Sequence, residues 1–325
     1  MSERVLITGG SGFIGTNMVE HCRAHGAAVE SWDIRPPQKA DHAALWRPVD
    51  VGDGAAVAQA LRRFAPTHVV HLAARTDLAG RNPSEYDVNV SGTENVLAAI
   101  ERGAGVRHAV LASSRLVCRL GYEPADDDDF APDTAYGESK ARMEGMIRES
   151  RLSLPWTIAR PTSIWGPWFG TPYRDFFLSV ARSRYLHPRG VVVRKSFGYV
   201  GNTVHQLREL GLAQTEQVAD RTFYVADYEP LDVLEFANAI RAALGRSRVP
   251  SVPLGILRGV AAAGDVAARI GVREPLLTSF RLRNLVTPMV YDTGPLREVV
   301  GPLLPHTVGA GIDVSLGWLR KQRLL

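Results

Sequence analysis

Through the first half of the chain, short unbroken apolar runs alternate with stretches whose apolar residues recur at helical spacing. Val5-Leu6-Ile7 shows no polar alternation and runs into glycines, which predicts a buried strand. Residues 13–25 place Ile14, Met18, Val19 and Cys22 on one face and predict a helix. Residues 27–32 predict a second strand, and 57–64 a helix stopped at Pro66. His68 to Leu72 predicts a third strong strand, 92–102 a helix with Val96, Leu97 and Ile100 inward, and 108–112 a strand. Residues 136–150 predict a helix and 156–159 a strand. Wholly apolar strands separated by helices predict an α/β doubly wound fold, a parallel sheet covered on both faces.

After Arg160 the pattern loosens. Residues 160–190 are rich in Pro, Trp, Phe and Tyr and look like a substrate-facing, loop-rich segment. Residues 222–226 predict a strand, 233–244 a helix, and the proline-bearing tail from Pro253 is mostly helical. The acidic run Asp126 to Asp129 reads as a solvated loop, with a lid as the sharper alternative.

Composition narrows the choices. The 325 residues are 45% hydrophobic and 22% charged, ordinary globular values that exclude a disordered or fibrous chain. Lys plus Arg is 38 and Asp plus Glu 34, so the net charge is +4. The cations form no long run, and nucleic acid is not expected as a partner. Cys22 and Cys118 cannot build a disulfide framework or a multi-cysteine metal site, and no metal is expected. The most apolar stretch, 252–272, is broken by Arg258, Asp265 and Arg269, so no membrane span is expected. Early glycines leave no room for a signal peptide, and the expectation is a soluble cytoplasmic protein.

Gly9, Gly12 and Gly15 form G-x-x-G-x-x-G between the first strand and the first helix. Such a loop lets a pyrophosphate approach the backbone, with the amides around Phe13 and Ile14 opening the helix toward it. Asp33 follows eighteen residues after Gly15, where an acid can bind a ribose diol. It would repel a 2′-phosphate, so NAD is favoured over NADP, while Arg35 keeps NADP open. Asp50-Val51 stands where an acid could meet the adenine amino group, or is simply a surface loop.

Tyr136 and Lys140 are spaced i, i+4, which puts them on one helix face. An ammonium there, with a nicotinium ring, would lower the phenol toward a useful base. Upstream, the strand 108–112 ends in Ser113-Ser114, whose hydroxyls could polarise a reacting oxygen or merely cap a turn.

These motifs together resemble the extended short-chain dehydrogenase/reductases, the NAD-dependent nucleotide-sugar epimerase/dehydratase family, over nearly the whole chain. The resemblance implies a Rossmann-like sheet domain, 1–165, which 196–227 rejoins. A smaller, mostly helical, discontinuous substrate portion would lie within 166–325. It implies Ser114, Tyr136 and Lys140 as the catalytic set. His71-Leu72-Ala73-Ala74 looks like the family's H-x-A-A beside the cofactor, Asn89-Val90 like its Asn-Val pair, and Pro161, Thr162 and Ser163 like the segment beside the nicotinamide. Tyr199-Val200-Gly201-Asn202 resembles a Y-V-x-D strand with Asn202 in place of the acid. Cys118 and Trp165 stand where tyrosines are usual and are candidates to line the substrate pocket.

The implied reaction is hydride transfer between a sugar-like carbinol and nicotinamide. Arg115 and Leu116 follow Ser114 where the 4,6-dehydratase and decarboxylase branches carry acids, which leaves simple redox chemistry or epimerisation. The expectation is 4-epimerisation of a nucleotide-diphosphate sugar through a transient ketone. The alternatives are a hydroxysteroid-type dehydrogenase, a sugar-nucleotide dehydrogenase or reductase, and a non-catalytic nucleotide sensor. Arg75, Arg174, Lys195 and Arg281 are candidate substrate cations. A homodimer is expected through helices 92–102 and 136–150, with Val96, Ala99, Met143 and Ile147 either in the seam or packed within their own chain.

Overall fold

Strand β1 (Arg4–Thr8) lies at the centre of a sheet because its residues are apolar on both faces. A computed structural model describes residues 3–103, 105–150, 152–271 and 277–325. Helix α1 (Phe13–Ala24) returns the chain to β2 (Ala28–Trp32), and β3 (Trp46–Arg47) adds the edge. Next come α2 (Gly54–Phe64), β4 (His68–His71), α3 (Val88–Arg102), β5 (His108–Ala112), α4 (Ala135–Glu149) and β6 (Trp156–Pro161). The second half holds β7 (Ser163–Trp165), α5 (Tyr173–Ala181), β8 (His187–Pro188), β9 (Arg194–Lys195), β10 (Phe197–Tyr199), α6 (Val200–Leu212) and α7 (Thr215–Val218). It continues through β11 (Arg221–Val225), β12 (Leu231–Asp232), α8 (Val233–Ala243), β13 (Ser251–Val252), α9 (Leu254–Arg269), α10 (Ser279–Val286), α11 (Gly294–Val300) and α12 (Val308–Lys321).

The main sheet has seven parallel strands in the order β11-β6-β5-β4-β1-β2-β3. This is the expected Rossmann-like α/β architecture, and the order reverses direction beside β1. Two apolar layers sandwich the sheet. One contains Val57, Val96, Met143 and Ile147, and the other Met18, Val19, Leu207 and Val204. Each such fully buried side chain contributes about 1.5–3 kcal/mol relative to exposure.

This packing decides between the two readings of the seam candidates. Val96, Ala99, Met143 and Ile147 are buried within their own chain, against the sheet and neighbouring helices, and are spent there. Any pairing of two copies through α3 and α4 must use the opposite faces. The acidic run is an exposed loop, as expected, and it is tethered. Asp127 pairs with Arg160 at 3.4 Å, Asp128 with Arg148 at 2.6 Å, and Asp129 accepts from the Tyr122 phenol at 2.6 Å.

Candidate active site

The turn from β1 into α1 is fixed by what a side chain would strike. Gly9 has φ +69°, and a Cβ there would stand 2.7 Å from the Ala73 amide nitrogen. At Gly15 a Cβ would stand 2.1 Å from the Gly9 carbonyl oxygen. Loop, helix start and β4 exit thus meet at backbone distance, which only glycine permits. Gly12 caps α1 without a side chain, so the first-turn amides at Phe13 and Ile14 are left to a ligand or water.

At the end of β2 the Asp33 carboxylate is buried and held on both oxygens. Its Oδ2 accepts the Ser11 amide at 3.1 Å and its Oδ1 the Arg35 amide at 2.9 Å. The Arg35 side chain is 71% exposed and stands 3.7 Å from Asp33. Asp50 is exposed and turns its Oδ1 onto the Gly52 amide at 2.8 Å, while Val51 is buried against α3.

A relay of hydroxyls and one imidazole shapes the β4 exit. Thr8 Oγ1 accepts the amides of Leu72 and Ala73 at 3.2 and 3.1 Å and lies 2.7 Å from His71 Nδ1. His71 Nε2 lies 3.0 Å from Thr93 Oγ1, which donates to the Asn89 carbonyl. Only the tautomer with hydrogen on Nε2 satisfies every partner. Burial, then the Lys140 charge, pushes His71 down to about 3, so it stays neutral. Beyond this exit runs Ala74-Arg75, where Asn89 takes hold of the Arg75 backbone.

Tyr136 reaches the site through a second close approach. Thr134 caps α4 by accepting the Gly137 amide at 3.0 Å. A Cβ on Gly137 would stand 2.2 Å from the Leu116 carbonyl, so α4 starts directly on the short 3₁₀ turn Arg115–Val117. Ser114 caps that turn by accepting the Leu116 amide at 3.1 Å, and its hydroxyl acts on the Tyr136 phenol, pulling its pKa down. Burial pushes Tyr136 up to about 12 against that pull. The lowering expected from Lys140 does not operate in this arrangement. Its Nζ is buried and donates to the Ala112 carbonyl at 2.8 Å, and burial pushes the amine down to about 8.

The substrate-side candidates divide. Thr162 Oγ1 donates to the Ser196 carbonyl at 2.8 Å, and Ser163 Oγ accepts from the Tyr173 phenol at 2.6 Å, just beyond Pro161. Lys195 Nζ is buried, donates to the Asn284 carbonyl at 2.6 Å, and is pushed down to about 8 by burial and by the Arg115 charge. Cys118 is buried and donates to the Asp129 carbonyl at 3.4 Å. Arg75 bonds Asp77 at 2.8 Å and lies over the Tyr86 ring. Trp165 and Asn202 do not line a pocket. Trp165 is wholly buried among Phe177, Tyr199 and Phe236, with ring centroids 5.0–5.4 Å apart. Asn202 is spent on Asp227 at 2.9 Å and on both backbone groups of His306. Arg174 pairs with its exposed neighbour Asp175, and Arg281 is exposed near the start of α10.

The chain matches the NAD dependent epimerase/dehydratase family over residues 5–211. It belongs to that family. A relative is the N-acetyl-alpha-D-glucosaminyl-diphospho-ditrans,octacis-undecaprenol 4-epimerase of Escherichia coli O157:H7. It is 28% identical over 97% of this chain and 95% of its own. The 3 beta-hydroxysteroid dehydrogenase/Delta 5-->4-isomerase of Mycobacterium tuberculosis is 30% identical over 92% of this chain and 85% of its own. The fold is that of UDP-glucose 4-epimerase from Thermotoga maritima, solved with UDP-glucose. The TM-score is 0.74 over 98% of this chain and 99% of that one, at 18% identity. The Thermus thermophilus enzyme, solved with NAD, gives 0.71 over 98% and 99%, at 22% identity.

In this family member the sequence reading passed over several residues that shape the site. Gly10 brings the loop onto β2, since a Cβ there would stand 1.9 Å from Ser31 Oγ. Tyr86 is buried with its ring 6.0 Å from that of Tyr136. The Arg115 charge pulls the Tyr291 phenol down against its burial, and Arg115 Nη1 is buried without a partner among the described residues. The sequence shows Arg115 next to Ser114, but not the direction of its side chain, so its place in the site is visible only in the fold.

Proposed function

We propose that this enzyme epimerises a nucleotide-diphosphate sugar at C4, with NAD as its resident cofactor. The observation that carries the reading is the Ser114 hydroxyl acting on the buried Tyr136 phenol at the end of β5, two strands from β1 and its glycine cradle. The residues suit a dinucleotide: a Cβ at Gly9 or Gly15 would close the turn that a pyrophosphate approaches. Asp33 offers carboxylate oxygens to a ribose diol and would repel a 2′-phosphate, which favours NAD over NADP.

When bound, NAD supplies the hydride acceptor and then the hydride donor. Tyr136 takes the carbinol proton, while Ser114 donates to the same oxygen. Lys140, tied to the Ala112 carbonyl, would hold the cofactor ribose, and a phenol near 12 would need the positive charge of the bound nicotinamide to act at neutral pH. The 4-keto sugar turns in the pocket and is reduced on its other face as Tyr136 returns the proton, so there is no net oxidation. Arg115 and Leu116 after Ser114 place no acid there to eliminate water.

Relatives support the reading: the undecaprenol-linked 4-epimerase above and a UDP-glucose 4-epimerase of Vibrio cholerae at 25% identity. Hydroxysteroid dehydrogenases at 29 and 30% identity make sterol oxidation the competing reading. A homodimer through the outward faces of α3 and α4 belongs to the proposal, and light scattering tests it. For the reaction, the purified enzyme is incubated with UDP-glucose, UDP-N-acetylglucosamine, its undecaprenyl-diphosphate counterpart, or a 3β-hydroxysterol plus free NAD. Interconversion of a sugar at C4 is expected. Oxidation of the sterol, with every sugar unchanged, would overturn the reading.

A further inference from the structure

Helix α9 carries apolar residues on its outer side as well as on its buried one. At about 100° per residue, Leu257, Ala261 and Gly264 share one sector, and these are its buried residues. Arg258, Asp265 and Arg269 make an adjoining charged stripe. The remaining sector, about 120° wide, holds Ile256, Gly259, Val260, Ala263, Val266 and Ile270, all exposed. Their large members are strongly so: Ile256 57%, Val260 39%, Val266 57% and Ile270 78%. No polar side chain interrupts this face over four turns. A contiguous apolar face of that kind marks an interaction surface.

The charge around it names the partner. Between Asp175 and Glu209, and again between Glu235 and Asp265, the chain has no acidic residue. The two stretches carry six and four Lys or Arg, in a protein whose total is only +4. They are joined where β13 pairs with β8, and the Arg189 amide bonds the Val252 carbonyl at 2.7 Å, at the mouth of α9. Arg184, Arg189, Arg194, Arg246, Arg248 and Arg258 are exposed. A second copy brought face to face would set these cations against their equals, which opposes a symmetric dimer. Anionic headgroups would complement them and accept the apolar face below. No described helix is long and apolar enough to cross a membrane, so the helix would lie along the surface.

We propose that α9 is an interfacial helix that seats this protein on an anionic lipid surface. The seat adjoins the site: α9 packs on α10, and the α10 carbonyl of Asn284 accepts from Lys195 Nζ. The inference rests on the exposed face and its charge, not on the epimerase reading, and binding is measured without turnover.

The test is flotation of the full chain with vesicles of phosphatidylcholine alone or mixed with phosphatidylglycerol. The wild type is expected to float with the mixed vesicles, weaken as salt rises, and stay behind with the neutral ones. The double variant Ile256→Asp with Val266→Asp should reduce flotation at least tenfold while keeping the wild-type melting temperature and NAD binding. Arg246→Glu with Arg248→Glu should do the same to a smaller extent. Three results would overturn the proposal. The wild type could fail to float with either vesicle, or the α9 variant could float as the wild type does. The variant could also convert a dimer to a monomer in light scattering while the wild type ignores vesicles, making a second copy the occupant.

Discussion

Asn89 grips the backbone of Arg75 from both sides: its Oδ1 accepts the Arg75 amide at 2.8 Å and its Nδ2 donates to the Arg75 carbonyl at 3.0 Å. The same Nδ2 donates to Ser139 Oγ, which donates to the Tyr136 carbonyl. Asn89 is wholly buried and holds the β4 exit against the helix that carries Tyr136. Asn89→Ala is therefore expected to lower kcat by about 10²-fold, since small misplacements near reacting groups cost that much. Asn89→Asp, which lacks the donors, should fall similarly. Steady-state kinetics with the accepted sugar checks this, and an unchanged kcat would contradict it.

Arg115 and Lys195 are expected to bind substrate charge. Both lie close to Tyr173 and Tyr291 or to each other, and no carboxylate pairs with either among the described residues. Two partly or fully desolvated cations without a carboxylate partner favour an anionic group on the substrate. Arg115→Ala and Lys195→Ala should each raise KM about 10–100-fold, from a charge-assisted bond worth ~1.5–3 kcal/mol. A lowered kcat with KM unchanged would argue against this role.

Glu144 and Arg160 form a buried bidentate pair, Nε to Oε1 at 2.9 Å and Nη2 to Oε2 at 2.7 Å. Removing one partner strands the other charge, which costs about 3–5 kcal/mol. Glu144→Ala should lose that much in urea unfolding. Replacing both residues with apolar ones should recover part of the loss, and a Glu144→Ala variant within 1 kcal/mol (order of magnitude) of wild type would refute the account.

Burial raises the Asp227 carboxyl to about 7, although it accepts from Asn202 and the Tyr199 amide. The unfolded chain releases this proton near 3.8. Between those values the native state binds the extra proton, so this group's contribution to stability falls as pH rises and levels off above about 7. Wild type should lose about 2 kcal/mol more than Asp227→Asn between pH 5 and 7. Parallel stability curves for the two proteins would remove Asp227 from the pH dependence.

What could be read from the chain was whatever periodicity or spacing writes locally. The strand 108–112 is observed with those bounds, and the run at 68–72 ends one residue early because the Leu72 amide turns to Thr8. Tyr136, Ser114 and the glycines were legible through motifs. Trp165 was misleading because an aromatic residue reads the same whether it faces a ligand or Phe177 and Phe236. Val96 and Met143 could not be placed from the sequence, because the same apolar pattern suits a seam and the sheet beneath them equally. The cluster of Arg115, Lys195 and Tyr291 was out of reach, since it joins residues far apart in the chain whose side-chain directions depend on the fold.

The central claim is that the enzyme moves one hydride off a carbinol carbon and back onto its other face, with Tyr136 handling the proton. The most direct measurement follows a nucleotide sugar carrying deuterium at C4 in ordinary water. The account predicts that wild type forms the C4 epimer with the deuterium still at C4, and that Tyr136→Phe forms it about 10³-fold more slowly. Loss of the deuterium to water, or full turnover by Tyr136→Phe, would contradict it.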